Sequence, residues 1–234
     1  MTNLTQADLD ALTAWDTPTI CNALELTSPE RRATGFTVRH LHCPFPGLKP
    51  IIGYARTAMI RSKHVPTRDK AAMRQQRTGY YEYVASGPRP TVSVIQDLDG
   101  PDFGFGAFWG EVQTNIHKGL GCLGVVTDGC IRDLDMVADG FQMLAASYAP
   151  SHAHVHLVDF GNQVQVAGMI VSSNDLVHAD RHGAVVVPAD VVKKIPAACD
   201  LLARKEAVIL SAARAKGFSI TQLRDALNKM DEIH

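Results

Sequence analysis

The amino-acid sequence predicts an α/β domain carrying a helical C-terminal arm, and three observations lead there. Residues 51–96 change type twice: an apolar run from Ile51 to Ile60, a helix-forming stretch from Thr67 to Ser86, then the β-branched run from Thr91 to Gln96. The third of the chain after Gly140 consists of short β-rich runs separated by Gly, Asn and Pro, and the composition from Ala189 onward is helical. With 234 residues, 46% hydrophobic and 20% charged, the chain can bury a sizeable core, and no repeat or low-complexity linker divides it. One domain spanning 1–234 is expected, with 189–234 as its arm.

The elements follow in order. Thr5 with Asp8 three residues on caps a first short helix, and Asp16 starts a second with Pro18 in its first turn. Residues 41–50 carry three prolines and a glycine and read as an irregular loop before the first strand. After Gly110, the spacing of Val112, Ile116 and Leu120 predicts a helix. Residues 124–128 form a compact strand expected to stop at an Asp128-Gly129 turn, and Arg132-Asp133 is expected to open a short helix over 134–139, closed by Gly140. Strands are expected over 141–147, 153–160, 163–171, 175–180 and 183–188. A helix from Ala189 to Lys216, interrupted at Pro196 and stopped by Gly217, precedes a last helix capped by Ser219 and Gln222.

Composition removes several classes of function. A formal net charge of -1 lacks the basic excess that nucleic-acid binding requires, and no polybasic membrane patch is present. No apolar run approaches the ~20 residues of a bilayer span, and the N-terminal ten residues are too polar for a signal peptide, so a cytoplasmic protein is expected. Five cysteines without a CxxC pair argue against disulfides and a zinc knuckle. Cys130 has no flanking His or Lys to activate it, so packing is its expected role.

Residues 119–124 match GxGxxG, but they lie between a helix and a strand, the reverse of the order that cradles a pyrophosphate; these glycines end the helix. Asp128, Arg132 and Asp133 fall at the carboxyl end of an expected parallel strand, where open α/β sheets bind ligands. A guanidinium there suits a carboxylate or enolate oxygen, and a neighbouring carboxylate suits a hard divalent cation. A plain surface ion pair at a helix start explains the same spacing. Gly110-Glu111 opens a helix whose first amides, near Val112 and Gln113, form a ready carboxylate site, with Glu111 as a second carboxylate. His152, His154 and His156 alternate along an expected strand, and His178 and His182 flank a turn; packing and hydrogen bonding are the favoured roles for both sets. Asp97, Asp99 and Asp102 are expected to shape a loop, with Asp97 able to approach the crevice from its strand end.

Taken together, Gly110-Glu111, Gly121, Gly124, Asp128-Gly129 and Arg132-Asp133 resemble, in order and spacing, the family of RraA-like proteins and 4-hydroxy-4-methyl-2-oxoglutarate aldolases, also called dimethylmenaquinone methyltransferase-like. The similarity continues through residues 155–161, 174–188 and the helix holding Arg204-Lys205-Glu206. The resemblance implies a swivelling β/β/α-type domain assembled as a homotrimer or a dimer of trimers (homohexamer), with sites between subunits. It implies Mg²⁺ or Mn²⁺ on Asp133, substrate on Arg132, and a pyruvyl carboxylate on the amides after Gly110. Glu206 of a neighbouring subunit matches a glutamate near the metal. The implied activity is that of a class II, metal-dependent lyase acting on a small 2-oxo acid, by retro-aldol cleavage of a 4-hydroxy-2-oxo acid or decarboxylation of oxaloacetate, through a pyruvate enolate. The aldolase pattern has Asp where this chain has Glu111. A non-catalytic binding protein or ribonuclease regulator is the alternative; the inhibitor branch lacks the Asp of the Arg-Asp pair, so Asp133 favours an enzyme. Methyl transfer is disfavoured because no Gly-rich loop follows a strand to hold S-adenosylmethionine.

Overall fold

Two capped helices start residues 4–234, the part of the chain that this computed structural model describes. Thr5 and Asp8 close a reciprocal capping box on α1 (Gln6–Asp10), and Asp16 accepts the Thr19 N–H at 2.9 Å to start α2 (Thr17–Thr27), both as expected. The sheet then builds through β1 (Ile51–Arg61), α3 (Lys70–Ala85), β2 (Thr91–Asp97), β3 (Ala107–Trp109), α4 (Glu111–Gly119), β4 (Cys122–Ile131) and β5 (Gln142–Tyr148). Each of these strands joins its neighbour in parallel, β1 to β2, β2 to β4, and β4 to both β3 and β5. β1, β2 and β4 are buried along nearly their whole length, the pattern of parallel strands covered on both faces.

The remaining strands run antiparallel. β6 (His156–Phe160) pairs with the end of β1; β7 (Val164–Val166) and β8 (Met169–Val171) form a separate hairpin; β9 (Leu176–Asp180) pairs with the start of β1, and β10 (Gly183–Val187) with β9. The result is an eight-stranded mixed sheet in the order β10-β9-β1-β2-β4-β3, with β5 and β6 alongside β4 and β1. The hairpin covers one face; Tyr80 and Val84 of α3 pack with Trp109, Phe141 and Met143 in the core of the other. α5 (Ile195–Ala213) lays Ile195, Ala198 and Cys199 against the core shared by α1 and α2, and α6 (Ile220–Asp231) packs on α5. No helix among the described residues is long and apolar enough to cross a membrane.

Five expectations are corrected. β4 does not stop at Asp128-Gly129 but runs through to Ile131: Thr127 Oγ1 accepts the Gly129 N–H at 3.0 Å, and the register against β5 shifts between Thr127 and Cys130, so the pair is a bulge inside a strand. Residues 134–139 form no helix. Asp133 sits at φ +56°, a left-handed conformation that interrupts right-handed helix, and two isolated turns follow, Met136 N–H to the Asp133 carbonyl and Phe141 N–H to the Ala138 carbonyl. The strand expected over 153–160 begins at His156, since Ala153 is left-handed at φ +47°; His152, His154 and His156 therefore do not share a strand face. The strand expected over 163–171 is a hairpin, turned by Ala167 and Gly168 at φ +49° and +92°, the two positive values a type I′ turn demands. The C-terminal helix starts at Ile195 rather than Ala189, with Pro196 in its first turn, where the missing N–H costs nothing.

Two buried histidines give the fold an acid limit. His117 accepts the Tyr80 hydroxyl at 2.9 Å and donates Nδ1–H to the Gln113 carbonyl; His178 accepts from Thr17 Oγ1 at 3.0 Å and donates to the Leu12 carbonyl. Burial lowers both from 6.5 to about 4, so the unfolded chain binds protons that the folded one refuses. Their stabilisation is complete above pH 6.5 and disappears as pH falls towards 4, by roughly 3 kcal/mol each. Asp128 and Asp97 act in the opposite sense, because burial raises both, Asp128 to about 6 and Asp97 by less, but the two histidines together shift further. Chemical denaturation should therefore show stability falling between pH 6.5 and 4; a flat profile would contradict the buried neutral histidines.

Candidate functional site

The site lies where β3 and β4 end side by side. The Arg132 N–H donates to the Trp109 carbonyl at 3.0 Å, which brings the residues following β4 against those following β3, namely Gly110 and α4. Gly110 caps α4 without a side chain, and its lack of one is required: a Cβ there would stand 2.5 Å from Asp133 Oδ2 and 3.2 Å from Arg132 Cγ. The close approach lets the Glu111 N–H reach Asp133 Oδ2 at 3.3 Å. The N–H groups of Val112 and Gln113 have no acceptor among the described residues, leaving the positive end of α4 open. Asp133 was expected at its own helix start; its carboxylate instead faces the N-terminus of α4.

Arg132 Nε stands 3.5 Å from Asp133 Oδ2, with both side chains about one third exposed, and Arg132 Nη1 also reaches the Pro150 carbonyl at 3.4 Å. Asp133 Oδ1 has no donor among the described residues. Gly110, Val112, Gln113, Arg132 and Asp133 all line one cavity of about 430 Å³. The side chain of Glu111 is exposed at its edge rather than part of the lining, and Glu206 is exposed on α5, away from the cavity of its own chain. Asp128 and Asp97 do not line it either. Asp128 accepts the Asp97 N–H at 2.7 Å, while Asp97 and Asp99 accept backbone N–H groups of residues 99, 104, 62 and 63, so the acidic stretch shapes a loop as expected.

A hard cation fits this donor set. Mg²⁺ is held by one or two carboxylates and otherwise by water and substrate oxygens, which matches a lone carboxylate with a free oxygen at the edge of an open cavity. No group of three or more His, Cys, Asp or Glu that could hold a metal occurs among the described residues. Cys130 is buried, with its thiol pushed up to about 12 by burial, and packs.

Sequence reasoning missed part of the lining. Lys70, Arg74 and Arg77 of α3 enter the cavity together with His152 and His156. The i, i+4, i+7 spacing of the three cations was a legible signal, since it puts them on one helix face. His152 donates Nδ1–H to the Ala153 carbonyl at 2.9 Å and His156 to the His154 carbonyl at 2.7 Å, so each neutral ring keeps an Nε2 lone pair. Gln113 is oriented by Tyr81, whose hydroxyl donates to Oε1 at 3.1 Å and leaves the amide NH₂ unengaged.

Comparison with known proteins places this geometry. An uncharacterised protein of Methanocaldococcus jannaschii is 31% identical over 124 residues, 52% of this chain and 58% of that protein, so the chain spans little more than half of the curated relative it matches. Among solved structures, an uncharacterised Pseudomonas syringae protein superposes with a TM-score of 0.70 at 21% identity, covering 96% of this chain and 95% of that one. Streptomyces coelicolor RraAS2, described as an unusual member of the RNase ES inhibitor RraA family, gives 0.67 at 21% identity over 92% of this chain and all of its own; both likenesses speak to the fold. The RraA-like family model (Aldolase/RraA) matches residues 17–186, the span holding the sheet, α4 and the Arg132-Asp133 turn, and on that match the chain belongs to the RraA-like family.

Proposed function

We propose that this chain is a divalent-metal-dependent lyase that breaks a carbon–carbon bond in a pyruvyl-containing acid, by retro-aldol cleavage of a 4-hydroxy-2-oxo acid or decarboxylation of oxaloacetate. One observation carries the reading: the open first turn of α4, the Arg132 guanidinium and the Asp133 carboxylate converge on a single cavity. A 2-oxo acid offers each a counterpart. The Val112 and Gln113 amides bind its carboxylate, and Arg132 meets the 2-oxo oxygen as negative charge grows there, an interaction stronger in the transition state than in the ground state. Mg²⁺ or Mn²⁺ on Asp133, with Glu111 beside it and Glu206 of a neighbouring copy, would supply Lewis acidity for the same oxygen.

Retro-aldol cleavage needs a base for the substrate hydroxyl, and decarboxylation does not. His152 supplies it: the residue lines the cavity with Nδ1 held on the Ala153 carbonyl, and it lies two residues from the Pro150 carbonyl that receives Arg132. His152→Gln should lower the ratio of retro-aldol to decarboxylation rates by about 10²-fold. An unchanged ratio removes His152 from the role.

Assembly belongs to the same reading. Burial on α5 ends in its first half, whereas Leu210, Phe218, Ile220 and Leu227 are exposed beyond it, apolar side chains that a second copy would cover. Mixing Asp133→Ala and Glu206→Ala subunits should restore part of the activity; no recovery despite demonstrated subunit exchange contradicts a shared site. The whole proposal is tested by pyruvate release from 4-hydroxy-2-oxo acids and oxaloacetate, with and without EDTA. Release that EDTA abolishes and Mg²⁺ or Mn²⁺ restores is expected, and its absence across the panel overturns the reading.

A further inference from the structure

Gln113 is held at two points by residues tied to α3, and one of its groups is left over. Its carbonyl accepts the His117 Nδ1–H at 2.7 Å, and His117 Nε2 in turn accepts the Tyr80 hydroxyl at 2.9 Å. Tyr80 and His117 are fully buried, and Trp109 packs on the imidazole with ring centroids 4.5 Å apart, so this end of Gln113 is fixed to the core. The side chain is fixed separately. Tyr81, next along α3 and half-buried with its ring T-shaped against that of His117, donates its hydroxyl to Gln113 Oε1 at 3.1 Å. An amide held by its oxygen points its NH₂ in a set direction. Gln113 lines the cavity, and that NH₂ has no acceptor among the described residues. Side chains tilt towards the N-terminus of their helix, which directs this donor to the end of α4 that carries the free Val112 and Gln113 N–H groups.

We propose that the Gln113 side chain is a third donor to the ligand carboxylate held at the start of α4, and that Tyr81 is the positioning residue that aims it. The proposal rests on the lyase reading for the identity of the ligand and adds a side chain to its recognition. A carboxylate has lone pairs for about four hydrogen bonds, and two main-chain amides leave part of them unmet. The orientation that Tyr81 imposes is the one an anion requires, since the amide turned over would present Oε1 to it. Holding the side chain in advance also removes rotamer freedom that binding would otherwise have to take away. The pyruvyl carboxylate keeps its charge while the carbon–carbon bond breaks, so this donor grips ground state and transition state alike. Gln113 is thereby an affinity residue: losing its amide raises KM and leaves kcat in place.

Calorimetric titration with pyruvate in the presence of Mg²⁺ tests both roles without turnover. Gln113→Met keeps the length and helix propensity of the side chain but removes the donor, and it should weaken binding about tenfold, as loss of a hydrogen bond to a charged group requires. Gln113→Glu keeps Oε1 for the Tyr81 hydroxyl and puts an oxygen where the NH₂ stood, so it should bind more weakly still. Tyr81→Phe should weaken binding about threefold through restored rotamer freedom, and should change nothing in the Gln113→Met background. A Tyr81 that merely supported the fold would weaken binding in both backgrounds. Either Gln113 variant binding within about twofold of the native chain, or pyruvate failing to bind the native chain, overturns the carboxylate contact. A Tyr81→Phe effect that is absent in the native background, or persists in the Gln113→Met background, overturns the positioning role. The lyase reading is judged by pyruvate release instead: release failing while these ratios hold sinks that reading alone, and the ratios failing while release is measured sinks this inference alone.

Discussion

Asp133→Ala is expected to remove divalent-metal-dependent pyruvate release, lowering kcat/KM by about 10³-fold or more, because the Lewis-acid contribution to such a reaction is worth several kcal/mol. Little of the loss should come from unfolding. The side chain is one third exposed and touches only the Glu111 amide and Arg132. Its backbone does matter: at φ +56° an alanine is strained by about 1 kcal/mol, whereas asparagine tolerates that conformation. Asp133→Asn is therefore the sharper variant, since it keeps the shape and removes only the charge. Both variants should lose activity while the Asn form melts near the native temperature. Full activity in either one sinks the assignment of the cation to this carboxylate.

Arg132→Lys is expected to cost about 10²-fold in kcat with a smaller change in KM. The guanidinium is shared among the Asp133 carboxylate, the Pro150 carbonyl and the cavity, so it presents a planar fork from a fixed position. An ammonium carries the same charge as a point, and it cannot reach the carbonyl and the substrate oxygen together. If the guanidinium only neutralised the site, lysine would do nearly as well; steady-state kinetics over a wide substrate range separates these outcomes. Near-native kcat in the lysine variant would show that charge alone suffices.

The parts of the fold that were legible are those that local chemistry fixes. Thr5 with Asp8, Asp16 and Ser219 announce their helices through a side chain that meets an amide three residues on. The expectations that failed turn on left-handed residues with ordinary side chains. Nothing in the type of Ala153 or Ala167 marks a positive φ, and Asp133, though of a type that visits it more often than most, fits a helix start equally well, so 134–139 read as a helix and 163–171 as one strand. The Asp128-Gly129 pair looks like a turn, but β4 is paired on either side of it, at Thr127 with β2 and β5 and at Cys130 with β3 and β5, so the pair becomes a bulge within the strand. Gly110 and Arg132-Asp133 could be singled out because each sits in a short motif, but their meeting depends on β3 lying beside β4, and β3 is only three residues long. His152 and His156 share the cavity with them only through tertiary packing.

The α3 helix divides its labour between two faces: Tyr80 and Val84 are fully buried in the core, whereas Lys70, Arg74 and Arg77 are exposed along the cavity. Residues of the second kind can be exchanged at little cost to stability, since no packing depends on them. The groups placed at the pyruvyl end sit elsewhere, on the turns after β3 and β4. The cations along the cavity wall and the Arg132-Asp133 turn thus lie on separate stretches of chain, so drift along one outward face of α3 can change what the cavity admits without rebuilding the turn. A scaffold arranged in this way can diversify by repainting one wall while the turn between β4 and β5 stays as it is.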